Sequence, residues 1–249
     1  MDLCLNEKKF LVTGASRGLG FATAQALANE GAYVVICGRT EESLKAALAK
    51  LGKRARYVIA DIQQNEDVNF LLRSIESTEG MLDGVFINAR GPQSGTLNDL
   101  TDEEWHLAFQ LVVMSVVRIT RKAIPLLEKS ANPSILYNTS SSVRQPTKNH
   151  LLANSLRTAV IGVMRTLADE LGPKGIRINA ICPGNFDTSQ KAKSGSIGDA
   201  ANITDHIPLR RIAEPHEFGA IASFLLSPVA SYIHGTLLLA DGGIYRGMM

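Results

Sequence analysis

Short apolar runs rich in β-branched residues alternate with longer stretches of helical spacing along nearly the whole chain. Phe10-Leu11-Val12 is the first such run, and Phe21 to Ala28 is the first stretch of good helix formers at helical spacing. Tyr33 to Cys37, Arg56 to Ala60, Gly84 to Ile87, Ser134 to Asn138, Ile176 to Ile181 and Thr236 to Leu239 predict further strands, with helical patterns between each pair. Local signals agree with this reading. Gly31 is placed to end the first helix, and Thr40 to cap the second, with Glu41 and Glu42 favourable in its first turn. A βαβ series predicts an α/β fold in which a doubly wound parallel sheet carries helices on both faces. The pattern contains neither an internal repeat nor an interdomain linker, so one Rossmann-type domain is expected over residues 1–249.

Two segments depart from the regular alternation. Asp102 to Leu127 predicts a long helix whose middle is apolar on nearly every face, through Leu107, Phe109, Leu111, Val112, Val113, Met114, Val116 and Val117. A helix apolar all round needs cover all round. Within one domain its outer face would be wet, so a subunit interface is expected there. Ser189 to Asn202, rich in Ser, Ala, Gly and Lys, has little to bury and follows a strand end. It reads equally as a lid over a ligand, spanning 185–212 with its flanks, or as a plain loop.

Composition narrows the function without naming it. The 26 basic and 24 acidic residues nearly cancel, which argues against a dedicated nucleic-acid or membrane-surface binder. Cys4, Cys37 and Cys182 are too far apart for a metal or disulfide pattern, and His106, His150, His206, His216 and His234 lack ligand spacing, so no metal is expected. A reducing, cytoplasmic setting is expected. Glu7, Lys8 and Lys9 interrupt any leader-like start, and no run of 18 apolar residues occurs.

The candidate chemistry begins at Thr13-Gly14-Ala15-Ser16-Arg17-Gly18-Leu19-Gly20, between the first strand and the first helix. A strand, a glycine-rich turn and a helix N-terminus make a phosphate cradle. Glycines admit close backbone approach, and the helix end offers free N–H groups and a positive dipole. The spacing is T-G-x-x-x-G-x-G, not the commoner G-x-G-x-x-G. With this loop the chain resembles the short-chain dehydrogenase/reductase family over its whole length. Other matches fall in order: Asp61-Ile62 at the adenine contact, Asn88-Ala89 at the second half of the Asn-Asn-Ala-Gly motif, and Ser141 at the catalytic serine. Pro183-Gly184 and Thr188 match the turn that holds the nicotinamide amide, and Asp241-Gly242-Gly243 matches the end of the last strand. The resemblance implies a dinucleotide-dependent oxidoreductase acting on a small molecule, assembled as a homotetramer.

Cofactor choice follows from charge. An NAD site needs a carboxylate at the end of the second strand to bind the ribose 2′-hydroxyl. Gly38-Arg39 stands there instead, so Arg39, aided by Arg17, is placed to pair with a 2′-phosphate, and NADP(H) is expected.

The resembled family uses Asn, Ser, Tyr and Lys for catalysis. Matched without gaps, Arg157 stands at the lysine, Ala153 at the tyrosine and Val112 at the asparagine, leaving Ser141. No Tyr-x-x-x-Lys occurs anywhere in the chain. Ala153 has no proton to give, and general acid catalysis is typically worth roughly 100- to 10,000-fold. His150 is the nearest substitute donor in sequence, though an exposed loop histidine explains it as well. Arg157 would hold the cofactor ribose. Arg90, where the family has glycine, is placed either to clamp a substrate carboxylate or phosphate, or merely to face solvent. Three readings result. One is an atypical NADP(H)-dependent reductase of a carbonyl or conjugated enone, in a branch similar to 3-oxoacyl carrier-protein reductases. The second is a non-catalytic NADP(H)-binding protein, and the third a 3-oxoacyl carrier-protein reductase with a substitute acid.

Overall fold

The computed structural model describes residues 1–188 and 204–248. The strands are β1 (Lys9–Thr13), β2 (Tyr33–Gly38), β3 (Ala55–Ile59), β4 (Gly84–Ile87), β5 (Ser134–Asn138), β6 (Arg177–Pro183) and β7 (Leu237–Ala240). They form one seven-stranded sheet in the order β3-β2-β1-β4-β5-β6-β7, every pairing parallel. The helices are α1 (Gly18–Asn29), α2 (Glu41–Leu51), α3 (Asn65–Glu79), α4 (Asp102–Phe109), α5 (Ser115–Leu127), α6 (Leu151–Leu171) and α7 (Pro215–Leu226). This is the expected doubly wound Rossmann-type fold.

Strand alternation sorts the apolar residues into two cores. Leu11, Val35, Val85, Ile135 and Ile178 lie side by side in register and pack with α3, α5 and α6. Val12, Ile36, Phe86 and Leu136 point the other way, toward α1, α2 and α7. Phe218 of α7 anchors that second core, with rings of Phe86 and Phe186 at 5.9 and 5.5 Å. Fully burying such a side chain contributes about 1.5–3 kcal/mol.

The long helix expected from Asp102 is interrupted. A π-helical segment, Gln110–Met114, joins α4 to α5, and Ser115 Oγ donates to the Leu111 carbonyl within it at 2.5 Å. Nor is the helix buried all round. Leu111, Val112, Val113 and Val116 are in the core, whereas Leu107 is 59% and Phe109 40% exposed. Most of the expected lid, residues 189–203, lies outside the described residues. Among those described, no helix is long and apolar enough to cross a membrane.

Candidate active site

The sheet order reverses between β1 and β4, and in parallel sheets ligands bind outside the carboxyl ends of the strands at such a switch point. One residue bridges that crevice. Asn88, just past β4, donates its amide Nδ2 to the carbonyls of Thr13 (3.3 Å) and Gly14 (3.1 Å). Thr13 Oγ1 returns the contact, donating to the Asn88 carbonyl and accepting from the Asn88 N–H, both at 2.8 Å. Asn88 Oδ1 accepts in turn from Asn138 Nδ2 at 2.7 Å, which ties the end of β5 to the glycine loop. The remaining amide oxygen of Asn138 is buried without a partner among the described residues.

The glycines serve this packing. Gly14 has φ +57°, and a Cβ there would stand 2.8 Å from the Asn88 carbonyl oxygen. At Gly20 a Cβ would overlap the Gly14 carbonyl and lie 2.7 Å from Asn88 Nδ2. Ser16 in the loop and Leu19 in the first turn of α1 are half-buried. Arg17 is exposed at the N-cap position of α1 in extended conformation. Among the described residues no side chain caps α1, and no acid occupies its first turn, so N–H groups at the helix end are left for a ligand. A Cβ at Gly18 would be only 3.5 Å from Thr188 Cγ2, which brings the loop beyond β6 over the glycine turn.

The other cofactor candidates lie along the same sheet edge. Arg39 is exposed just past β2. Nearby Glu41 is engaged by Lys45 at 3.0 Å and the Tyr57 hydroxyl at 2.9 Å. Past β3, Asp61 Oδ1 accepts from the Gln63 N–H at 3.0 Å, and Ile62 is buried. Sequence reasoning missed Arg118. From α5 it donates to the Gln63 carbonyl (2.8 Å) and to Gln110 Oε1 (2.7 Å), pinning the loop after β3 to the π-helical segment. Beyond β6, the Gly184 N–H donates to the Ala240 carbonyl at 2.9 Å.

Between β4, β5 and α6 lies a pocket of about 10 Å³, lined by Ala89, Arg90, Val112, Asn138, Thr139 and Arg157 among others. Arg157 is half-buried there. Its Nη1 donates to the carbonyls of Asn138 (3.2 Å) and Thr139 (2.7 Å), at the end of β5. Burial pulls its pKa down to about 10, so it stays a cation at neutral pH. Ala153 sits one turn earlier on α6 and is half-buried. The Thr139 hydroxyl lies 3.0 Å from Cys182 Sγ, and burial raises that thiol's pKa.

The pocket therefore gathers Ala89, Arg90, Val112 and Arg157, as the sequence suggested, but Ser141 and His150 are not among its lining residues. Ser141 is half-buried at the start of a short 3-10 turn, Ser141–Val143, and its carbonyl accepts from the Arg144 and Gln145 N–H groups. His150 is exposed, with its ring nitrogen Nδ1 2.7 Å from the Lys148 carbonyl oxygen. Tyr137 is fully buried, paired with Thr120 at 2.7 Å, and its pKa is raised by burial.

Comparison with known proteins places this architecture. A family model described as enoyl-(acyl carrier protein) reductase matches residues 14–245. The human dehydrogenase/reductase SDR family member 4 is 32% identical over 250 residues, covering 96% of this chain and 88% of the relative. L-sorbose reductase from Gluconobacter frateurii, solved with NADPH and L-sorbose, is 30% identical with a TM-score of 0.94, covering both chains completely. An NADPH-bound short-chain oxidoreductase from Pseudomonas aeruginosa PAO1, described as containing an atypical catalytic centre, is 30% identical with a TM-score of 0.91. It covers 97% of this chain and 99% of its own. With the family model spanning most of the sequence and relatives of this similarity matching nearly all of it, the chain belongs to the short-chain dehydrogenase/reductase family of NAD(P)-dependent oxidoreductases.

Proposed function

We propose that the protein is a cytoplasmic, NADP(H)-dependent reductase of a small carbonyl compound or conjugated enone, working without the family's tyrosine and lysine. The carrying observation is Arg157, whose guanidinium is turned onto the carbonyls of Asn138 and Thr139, one helical turn from Ala153. A cation is kept where the lysine would stand, and the proton donor is gone.

The residues present fit the cofactor. Gly14, Ser16, Arg17, Gly18, Leu19 and Gly20 with the uncapped end of α1 would hold the pyrophosphate. Arg39 and Arg17 would face the 2′-phosphate, a preference supported by the missing acid at Gly38-Arg39 and by the NADPH bound in two structural relatives. Asp61 and Ile62 would flank the adenine. Asn88, Ala89, Arg157, Pro183, Gly184 and Thr188 would frame the nicotinamide half. When bound, NADPH supplies a hydride.

The chain's own groups then stabilise negative charge. Ser141 would polarise the substrate oxygen, and Arg157 would add positive charge to the site. Reduction of a conjugated enone suits such a site, because hydride reaches carbon and the charge that develops is an enolate, which donors can stabilise without an enzymic acid. We further infer a single domain and a homotetramer, with exposed Leu107 and Phe109 of α4 covered between subunits.

The test is NADPH oxidation followed with simple ketones, conjugated enones and an acetoacetyl thioester, alongside NADPH and NADH titrations. Enone turnover well above ketone turnover, with tighter NADPH than NADH, is expected. Tight NADPH binding without turnover of any substrate would instead make the protein a non-catalytic cofactor binder. Thioester reduction that disappears in His150→Ala would restore the ordinary reaction with a substitute acid.

A further inference from the structure

We propose that Arg118 is a positioning residue for the adenine end of the cofactor site: from α5 it holds the loop 61–63 in place, and it takes its own bearing from the π-helical turn at Gln110. This inference rests on the NADP(H) reading, which sets the adenine beside Asp61 and Ile62, and deepens it by naming the group that fixes that subsite.

The loop after β3 is shaped by bonds within its own stretch of chain. Asp61 Oδ1 accepts from the Gln63 N–H at 3.0 Å, the Asp61 N–H donates to Asp67 Oδ2 at 2.8 Å, and the Gln64 N–H donates to the Asp61 carbonyl at 2.9 Å. Such local bonds set the turn's form without fixing its place against the helices behind it. Arg118 supplies that tie from 55 residues away, its Nη1 donating to the Gln63 carbonyl at 2.8 Å. The guanidinium is itself held from the other side, because Nη2 donates to Gln110 Oε1 at 2.7 Å. Arg118 is half-buried, and both of these acceptors are neutral, so its charge strengthens each bond. In a regular α-helix, residues eight apart stand about 80° from each other around the axis. A π turn closes i to i+5 bonds and takes more residues per revolution, which lets Gln110 and Arg118 share a face. The interruption between α4 and α5 thus aims Gln110 at Arg118. The same turn carries Val112 to the pocket between β4, β5 and α6. One guanidinium therefore stands between the adenine loop and the segment that borders the substrate pocket. Without it the loop would have to be ordered at the moment of binding, and affinity falls by that cost.

The experiment measures, by calorimetry, the binding of NADPH and of adenosine 2′,5′-bisphosphate, which carries the adenine, its ribose and the 2′-phosphate but no nicotinamide. The proteins are wild type, Arg118→Gln, Arg118→Lys and Gln110→Ala. Arg118→Gln should weaken both ligands by the same factor, roughly tenfold or more, the scale of one charge-assisted hydrogen bond. Equal factors mark a role confined to the adenine end, because damage spread over the site would weaken NADPH more than the fragment. Arg118→Lys should recover part of the loss, since one ammonium can serve the Gln63 carbonyl but lacks the fork that serves both acceptors. Gln110→Ala keeps the Gln63 bond and removes its support, so it should weaken both ligands about threefold, the scale of a neutral hydrogen bond. Fragment binding by Arg118→Gln within about twofold of wild type overturns the proposal. So does a loss of NADPH affinity well above the loss for the fragment. Should Arg118→Gln fail to fold, Arg118→Lys and Gln110→Ala decide by the same comparison. Absence of NADPH binding by wild type would overturn the NADP(H) reading and this proposal with it, whereas tight NADPH binding by wild type and unchanged binding by every variant would overturn this proposal alone.

Discussion

Replacing Asn88 by alanine should be among the most damaging single changes near the site, although the side chain is small and polar. Its amide makes three hydrogen bonds, to the Thr13 and Gly14 carbonyls and from Asn138 Nδ2. At about 1 kcal/mol each, their loss costs about 3 kcal/mol. The cost approaches about 5 kcal/mol where Asn138 Nδ2 finds no new acceptor, because an orphaned buried donor carries its desolvation penalty. For a chain of this size, about 3 kcal/mol corresponds to a fall in Tm of roughly 6–12 °C. Asn138→Ala is the control. It deletes one of the same bonds and leaves Asn88 Oδ1 without that donor, but it also deletes an amide oxygen that is already buried and unpaired, so it should cost about 1–2 kcal/mol, less than the Asn88 change. Urea denaturation of the three proteins at equal concentration measures the difference. NADPH titration should show Asn88→Ala weakened as well, because Gly14 loses the group that fixes its carbonyl. An Asn88→Ala protein less than about 1 kcal/mol below wild type, or no less stable than Asn138→Ala, would refute the amide chain as the brace of the crevice.

Three further outcomes are expected. Gly20→Ala should lower NADPH affinity more than about tenfold and destabilise by about 1–3 kcal/mol, because its Cβ overlaps the Gly14 carbonyl; fluorescence titration and thermal melts would read both effects. Ala153→Tyr alone should leave 3-oxo ester reduction near the wild-type rate, whereas Ala153→Tyr with Arg157→Lys should raise it, since the phenol regains an ammonium beside it; steady-state NADPH oxidation compares them. Glu217 is held by Arg211 (2.7 and 2.6 Å) and the Glu214 N–H (2.8 Å), which lower its pKa from 4.5 to about 2. A depressed carboxyl pKa contributes stability that is present above pH 4.5 and lost as pH falls toward 2. Glu217→Gln should therefore flatten only that part of the stability profile, by a small amount for so exposed a pair, and a change confined above pH 5 would contradict the assignment.

The strands were legible because each is a short, mostly apolar run bounded by turn residues. The same periodicity misread the segment after Asp102. It registers which residues are apolar, not how the backbone pairs, so the π-helical turn at Gln110–Met114 and the exposure of Leu107 had no visible signature. The glycine loop was legible because its function requires glycine. Asn88 was legible only as a motif residue. Its brace joins positions 75 and 50 residues apart, and that pairing exists only once β1 and β4 become neighbours. Arg118 lacked any signal, since its partner is a backbone carbonyl 55 residues away.

On the proposed reading, an arginine at position 157 in place of the family's lysine would change the chemistry as well as the residue name. A lysine ammonium is a compact donor that can serve ribose and phenol together and can lower a neighbouring tyrosine's pKa. The guanidinium here spends one edge on two backbone carbonyls at the end of β5, so its position is fixed by the sheet itself. Its charge persists to about pH 10, which makes it a steady stabiliser of negative charge and a poor source of protons. With Ala153 beside it and Val112 lining the pocket, no titratable group replaces the family's acid among the pocket's lining residues other than arginine. On the proposed reading, a site of this kind would lower the barrier of reactions limited by charge development and leave those limited by proton delivery nearly unassisted. The proposed preference for conjugated enones over simple ketones follows from that asymmetry, since protonation of an enolate at carbon can come from water after the hydride has been delivered.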